Sequence, residues 1–191
     1  QFADICGITE QELESCFNEG IDQLATRLET DHAGALAELK ANYDGYHFTA
    51  DCPDIYNPFS VLNALNDSCI RDYWFLSGTP TFLVRSIQRS GEFLPEMFSE
   101  KVDDSQLAQV DTYSTSPLAL MFQTGYLTIK DYDARRRQYC LGIPNREVRE
   151  GLFKGLGGIY LNRDQQKVVN RAIDIRISLE DGEVEKAMDL I

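Results

Sequence analysis

Apolar positions recur at helical spacing through the first third of the chain. Thr9 and Glu12 form a Thr-x-x-Glu box, in which each side chain can meet the other's backbone amide, so a helix carrying Leu13 and Phe17 is predicted to begin there. Gly20 is expected to interrupt it. A second helical pattern follows through Ile21, Leu24, Ala25 and Leu28, and a third runs from about Ala33 to Tyr43 with Leu36 and Leu39. Asp44-Gly45 is a turn dipeptide flanked by aromatics, and the segment from there to Ile55 reads as a short hairpin or an ordered loop.

Asn57-Pro58 pairs a helix-capping side chain with a proline at the first helical position, where its missing N–H costs nothing. The helix is predicted to reach about Asn66 and to bury Val61, Leu62 and Leu65. Thr79-Pro80 repeats the device and opens a helix with Phe82, Leu83 and Ile87 that Gly91 ends. Pro95 to Thr115 is weakly patterned, which makes it the linker candidate, with Asp103 and Asp104 solvated.

Beyond it, Ser116-Pro117 caps a helix through Leu120, Met121 and Phe122 that is expected to stop at Gly125, a residue able to turn left-handed. The period then changes to two. Tyr126 to Lys130 and Gln138 to Ile143 alternate, with Leu127, Ile129, Tyr139, Leu141 and Ile143 on the apolar positions and Asp131 to Arg137 between them. Asn145 caps a further helix through Val148 and Leu152, expected to end around Gly157-Gly158. Helix, hairpin, helix is the outline of a winged-helix wing and its neighbours. From Asn162 onward Val168, Ala172, Ile175 and Leu179 return to helical spacing as far as Asp181-Gly182.

The composition, 43% hydrophobic and 26% charged over 191 residues, is that of a globular chain long enough to bury a sizeable core. A net charge of −13 argues against a surface that clamps nucleic acid over its whole extent, because a polyanion would meet a repelling average field. Cys6, Cys16, Cys52, Cys69 and Cys140 are odd in number and show no Cys-x-x-Cys spacing, which fits reduced thiols in the cytoplasm better than a disulfide framework. No stretch has the roughly 18 consecutive apolar residues of a membrane span. The chain starts at Gln1 and stops at Ile191 inside an amphipathic pattern, so both ends read as cut from a longer protein.

Four aromatic and turn motifs occur in order: Tyr43-Asp44-Gly45-Tyr46-His47-Phe48, Ile55-Tyr56-Asn57-Pro58-Phe59-Ser60, Tyr73-Trp74-Phe75 followed by Ser77-Gly78-Thr79-Pro80, and Phe122-Gln123-Thr124-Gly125-Tyr126-Leu127-Thr128-Ile129. In this order and spacing they resemble the non-catalytic carboxyl-terminal part of the bacterial predicted AAA-ATPase-like family, continuing into its junction with a fused PD-(D/E)XK nuclease-like domain. The resemblance runs from roughly Gly7 to the end of the chain. It implies a mainly α fold with short β-hairpins: a helical ATPase-associated region over residues 1–100, a winged-helix-like unit over 101–160, and the helical start of a truncated nuclease-like domain over 161–191. It implies ATP and Mg for the parent protein, and an upstream ATPase core and downstream nuclease-like domain as partners. Asp44, Gly45, Asn57, Pro58, Trp74, Gly78, Pro80 and Gly125 are its structural motif residues.

The chemistry of those flanking sites is not expected in the chain itself. A phosphate-binding Walker loop needs glycines and a lysine, and no Gly-Lys dipeptide occurs. A nuclease of this kind needs a lysine two residues beyond a metal-binding carboxylate on a strand. Glu38-Leu39-Lys40 has that spacing in a helical pattern, where the two side chains diverge. His47 with Asp44, Asp51, Cys52 and Asp54 could make a metal site, although turn hydrogen bonds account for the same residues. Arg135, Arg136 and Arg137 at the hairpin tip are the candidate nucleic-acid contacts, against the plainer reading of a solvated turn whose charges meet Asp131 and Asp133. No catalytic, cofactor or metal residue is assigned. The expected role is a coupling or lid element, with a nucleic-acid-binding winged helix as the alternative and an independent hydrolase as the third reading.

Overall fold

The computed structural model describes residues 7–49, 52–76, 101–108, 117–160 and 173–174. The described chain is mainly helical with a small antiparallel sheet, and it divides into two compact units, residues 1–149 and residues 150–191.

In the first unit α1 (Glu10–Cys16) opens on the expected box: Thr9 Oγ1 accepts from the Glu12 amide at 3.2 Å and Glu12 Oε2 accepts from the Thr9 amide at 2.9 Å. The break before α2 (Asn18–Arg27) falls at Phe17 rather than Gly20, which lies inside α2 where even an added Cβ would only touch Leu65 at ordinary contact distance. Asp31 caps α3 (His32–Tyr43) by accepting from the Gly34 amide at 2.8 Å. Asn57 caps α4 (Pro58–Asp67) through the amides of Phe59 and Ser60, and Ser68 in the left-handed conformation ends it.

Leu13, Ile21, Leu24, Leu39, Tyr43, Tyr56, Val61 and Leu65 bury a common core between these helices. Leu62, expected inside, is 43% exposed; Ala64 takes the buried position, because the inward face of α4 is read at Val61, Ala64 and Leu65. Tyr43 fastens the end of α3 to the approach of α5 (Tyr73–Leu76), its hydroxyl donating to the Arg71 carbonyl at 2.8 Å and accepting from the Arg71 amide at 3.0 Å.

Residues 101–108, expected as linker, form β1 (Lys101–Val102) and α6 (Asp104–Ala108). Asp103 is not merely solvated: its Oδ1 accepts from the Ser105 and Gln106 amides while Gln106 Oε1 accepts from the Asp103 amide, a second capping box. After α7 (Pro117–Gln123), Gly125 has φ +80 and donates to the Phe122 carbonyl at 3.1 Å, and Tyr126 donates to Met121 at 2.8 Å. These two bonds are a Schellman ending, as the glycine predicts.

β2 (Thr128–Asp133) and β3 (Gln138–Gly142) form the expected hairpin, and β1 pairs with the other edge of β3, giving the antiparallel order β1-β3-β2. Lys130 is a bulge: Ile129 lies opposite Leu141 and Asp131 opposite Cys140. Leu127, Ile129 and Leu141 are buried as expected, but so are Tyr126 and Thr128, and Tyr139 and Ile143 are only half-buried, so the alternation is not clean; Val148 beyond the hairpin is buried, and Leu118 and Met121, not Leu120, are the fully inward leucine and methionine of α7.

Asn145 caps α8 (Arg146–Tyr160), which continues through Gly157-Gly158 rather than ending there. In the second unit α8 carries a Glu150–Lys154 ion pair at 3.7 Å and buries Leu152, and Ile173 and Asp174 are helical and exposed. Gly78, Pro80, the Thr79-Pro80 helix and all but those two residues beyond 160 lie outside the described residues.

Candidate functional site at the Asp44–Gly45 turn

Asp44 is where α3 ends, its amide still donating to the Lys40 carbonyl at 3.2 Å. The turn leads into a loop closed by one bridge, Tyr46 with Ile55, in place of a regular hairpin. Gly45 has φ +90, and a Cβ there would collide with the Pro144 carbonyl oxygen. Glycine is thus required by both the left-handed backbone and the close approach of a distant segment.

Three side chains tie this turn to the sheet and to the start of α8, and a fourth joins the helices beside it. Asn145 Nδ2 donates to the Asp44 carbonyl at 2.9 Å while its Oδ1 caps α8 by accepting from the Val148 amide at 3.1 Å. Buried Thr128 accepts from the His47 amide at 2.6 Å and donates to the His47 carbonyl at 2.9 Å. The bulge aims Lys130 at the turn, its Nζ donating to the carbonyls of Gly45 at 3.4 Å and Pro144 at 3.3 Å. Glu147, 1% exposed, accepts from Ser60 Oγ and from the Trp74 amide, both at 2.7 Å, and so joins α4, α5 and α8. Its place in the first turn of α8 offsets part of the cost of burying a charge, since helix amides there favour an anion.

A cleft of about 410 Å³ opens beside the turn, with Lys40, Lys130, Arg146 and Arg149 facing Asp44 and Asp54. Lys40 pairs with Glu10 at 2.7 Å, Arg146 with Glu38 at 3.2 Å, and Asp54 with His47 at 3.1 Å. Asp44 is 5% exposed and its Oδ1 has no hydrogen-bond donor. Burial pushes its carboxyl above the usual carboxylate range, against the pull of the Gly45 amide on the carboxylate, with Asp54 adding to the push and Lys40 opposing it. Burial also lowers the Lys130 ammonium, against the pull of Asp54 and Asp44. On the other side of the turn an aromatic pocket of about 260 Å³ is lined by Tyr46, Phe48, Tyr56, Trp74 and Gly125. The buried hydroxyl of Tyr56 has no partner among the described residues, that of Tyr46 lies by the Asn57 and Asn145 side chains, and burial raises both phenols well above their ordinary value.

The motif residues Asp44, Gly45, Asn57, Pro58, Trp74 and Gly125 therefore converge on one region. The three arginines do not join them. They sit at the far hairpin tip, where Asp133 accepts from the Arg135 and Arg136 amides and pairs with the Arg136 guanidinium at 3.0 Å, leaving Arg135 and Arg137 exposed. His47 meets Asp54, and among the described residues no three His, Cys, Asp or Glu side chains gather as a metal site; Asp51 lies outside the described residues. Sequence reading missed Glu147 and Lys130, and it quoted Thr128 within a motif without giving it a role. Their signal is weak in principle: a lone Glu after an N-cap or a Thr on a strand is ordinary, and only tertiary packing reveals them.

These features define a mainly helical protein with a small antiparallel sheet braced against a buried polar turn. No family model and no solved structure matches the chain. It is similar to a protein of Azotobacter chroococcum mcd 1 described as "Uncharacterized protein in vnfD 5'region", 33% identical over 163 residues. The match covers 84% of this chain and 29% of that relative, so the chain spans well under half the relative's length.

Proposed function

We propose that this chain is the non-catalytic coupling element of a longer cytoplasmic AAA-ATPase-like protein, standing between an upstream nucleotide-binding core and a downstream nuclease-like domain. The observation that carries the reading is Glu147. One buried carboxylate at the head of α8 holds both Ser60 of α4 and the amide of Trp74, so a displacement of the helical layer is passed to the helix that leads out of the first unit. Asn145 and Lys130 brace the same joint from the sheet side. In the long protein, Glu147→Ala should leave nucleotide affinity unchanged and abolish the nucleotide-dependent change in protease sensitivity beyond residue 160. A nucleotide response that survives the substitution would overturn the reading.

A second reading has one specific observation in its favour. Among the described residues, a strand, two helices and a hairpin with sheet order β1-β3-β2 support a winged-helix reading, and Arg135 and Arg137 stand exposed at the hairpin tip. We place this unit within the coupling element as a winged-helix-like brace, and nucleic-acid contact through the tip is the alternative.

A further inference from the structure

The cleft beside the turn holds an imbalance that the coupling role does not use. Of its four cations, Lys40 and Arg146 have carboxylate partners, whereas among the described residues Lys130 meets only backbone carbonyls and Arg149 meets no carboxylate. Arg146 and Arg149 are three residues apart, on one face of α8. The bulge at Lys130 brings a third cation to the same opening. Asp44 lines the cleft with Asp54, and its Oδ1 is buried and without a donor. A buried oxygen left in this way costs stability unless something supplies a hydrogen bond.

We propose that this cleft binds a phosphomonoester, with Lys130 and Arg149 meeting its charge and one proton shared between Asp44 and a phosphate oxygen. Lys130 and Arg149 carry two positive charges, which the Asp44 carboxylate and a phosphomonoester that keeps its second proton balance together, and that proton supplies the hydrogen bond a ligand carboxylate could not. A phosphodiester is excluded by its chemistry: it carries a single charge and no proton near neutral pH, whereas a monoester exchanges its second proton at about pH 6 and can share one with a carboxyl. Guanidinium geometry suits the phosphate fork. The volume of about 410 Å³ exceeds a bare phosphate and falls in the range of roughly 300–1,000 Å³ typical of small-ligand sites. The inference stands apart from the coupling reading and survives its failure.

The phosphate has two sources, a free phosphorylated small molecule or the phosphorylated end of a nucleic-acid strand. Titration calorimetry of the 191-residue chain with inorganic phosphate tests the shared chemistry. Anisotropy of a labelled single strand, compared with a 5′-phosphate and with a 5′-hydroxyl, separates the sources. Phosphate binding is expected, and Arg149→Gln and Lys130→Gln should each weaken it roughly tenfold or more, as for loss of one charge-assisted contact. Arg135→Gln at the hairpin tip should leave it unchanged. A preference for the 5′-phosphorylated strand assigns the site to strand ends, and phosphate binding without that preference assigns it to small molecules. Absence of phosphate binding, or binding indifferent to Arg149→Gln in a variant that melts like the parent chain, would overturn the proposal.

Discussion

Asp44 and Gly45 show how two neighbouring residues can be fixed by unrelated demands. Gly45 is held by its φ of +90 and by the Pro144 carbonyl, so Gly45→Val should cost at least about 1 kcal/mol and lower the melting temperature. An unchanged thermal melt would contradict that placement. Asp44 works against stability. Its folded-state carboxyl keeps its proton to a higher pH than the ordinary value of 3.8, so stability is lost as pH rises from 3.8 through the raised folded value and stays lost above it. Asp44→Asn should therefore be more stable than the native chain at pH 7, with the gain shrinking as pH falls toward 3.8. Urea melts at the two pH values would show it, and a less stable asparagine variant at pH 7 would sink the account of this carboxyl. A residue that lowers stability where it stands is a natural place for a ligand to act.

Among the elements, the hairpin was the most legible. Leu127, Ile129 and Leu141 mark buried positions and Gly125 announces its own left-handed turn, although Thr128 between them is buried as well, held by the His47 backbone. Leu141 is 2% exposed, so Leu141→Ala should cost about 2 to 5 kcal/mol in a urea melt, and a loss below about half a kcal/mol would contradict its burial. Helix starts were equally plain where Thr9, Asn57 and Asn145 preceded a periodic run, whereas Ser116 lies outside the described residues. Asp103 was missed for a physical reason: its box opens a helix of five residues, too short to show a periodic face behind the cap. The break at Phe17 was misplaced because a glycine weakens a helix without having to end it, and Gly20 is tolerated beside Leu65. The bulge at Lys130 has no sequence mark at all, since an extra residue in a strand looks like any other polar position.

For the whole molecule the question is which surface faces a partner. Against a net charge of −13, and with Arg136 engaged by Asp133, the hairpin tip should bind an unmodified duplex no better than weakly. Submicromolar, salt-sensitive anisotropy that disappears when Arg135, Arg136 and Arg137 are replaced by alanine would promote the nucleic-acid reading, each lost phosphate contact taking about 0.9 from the slope of log affinity against log salt. Among the described residues no helix is long and apolar enough to cross a membrane. The site was half legible in the sequence. Its aromatic and turn motifs could be seen to belong together, but that they converge depends on contacts such as Ser60 with Glu147, 87 positions apart, which no local pattern encodes.

The central claim is that the joint at Glu147 relays nucleotide state, and hydrogen exchange on the long protein with and without Mg-ATP tests it most directly. The account predicts that nucleotide changes the protection of amides in 73–76, 128–133 and 145–149 together, and that Glu147→Ala confines the change to the segments upstream of 145. Nucleotide binding that leaves exchange in all three segments unaltered would contradict it.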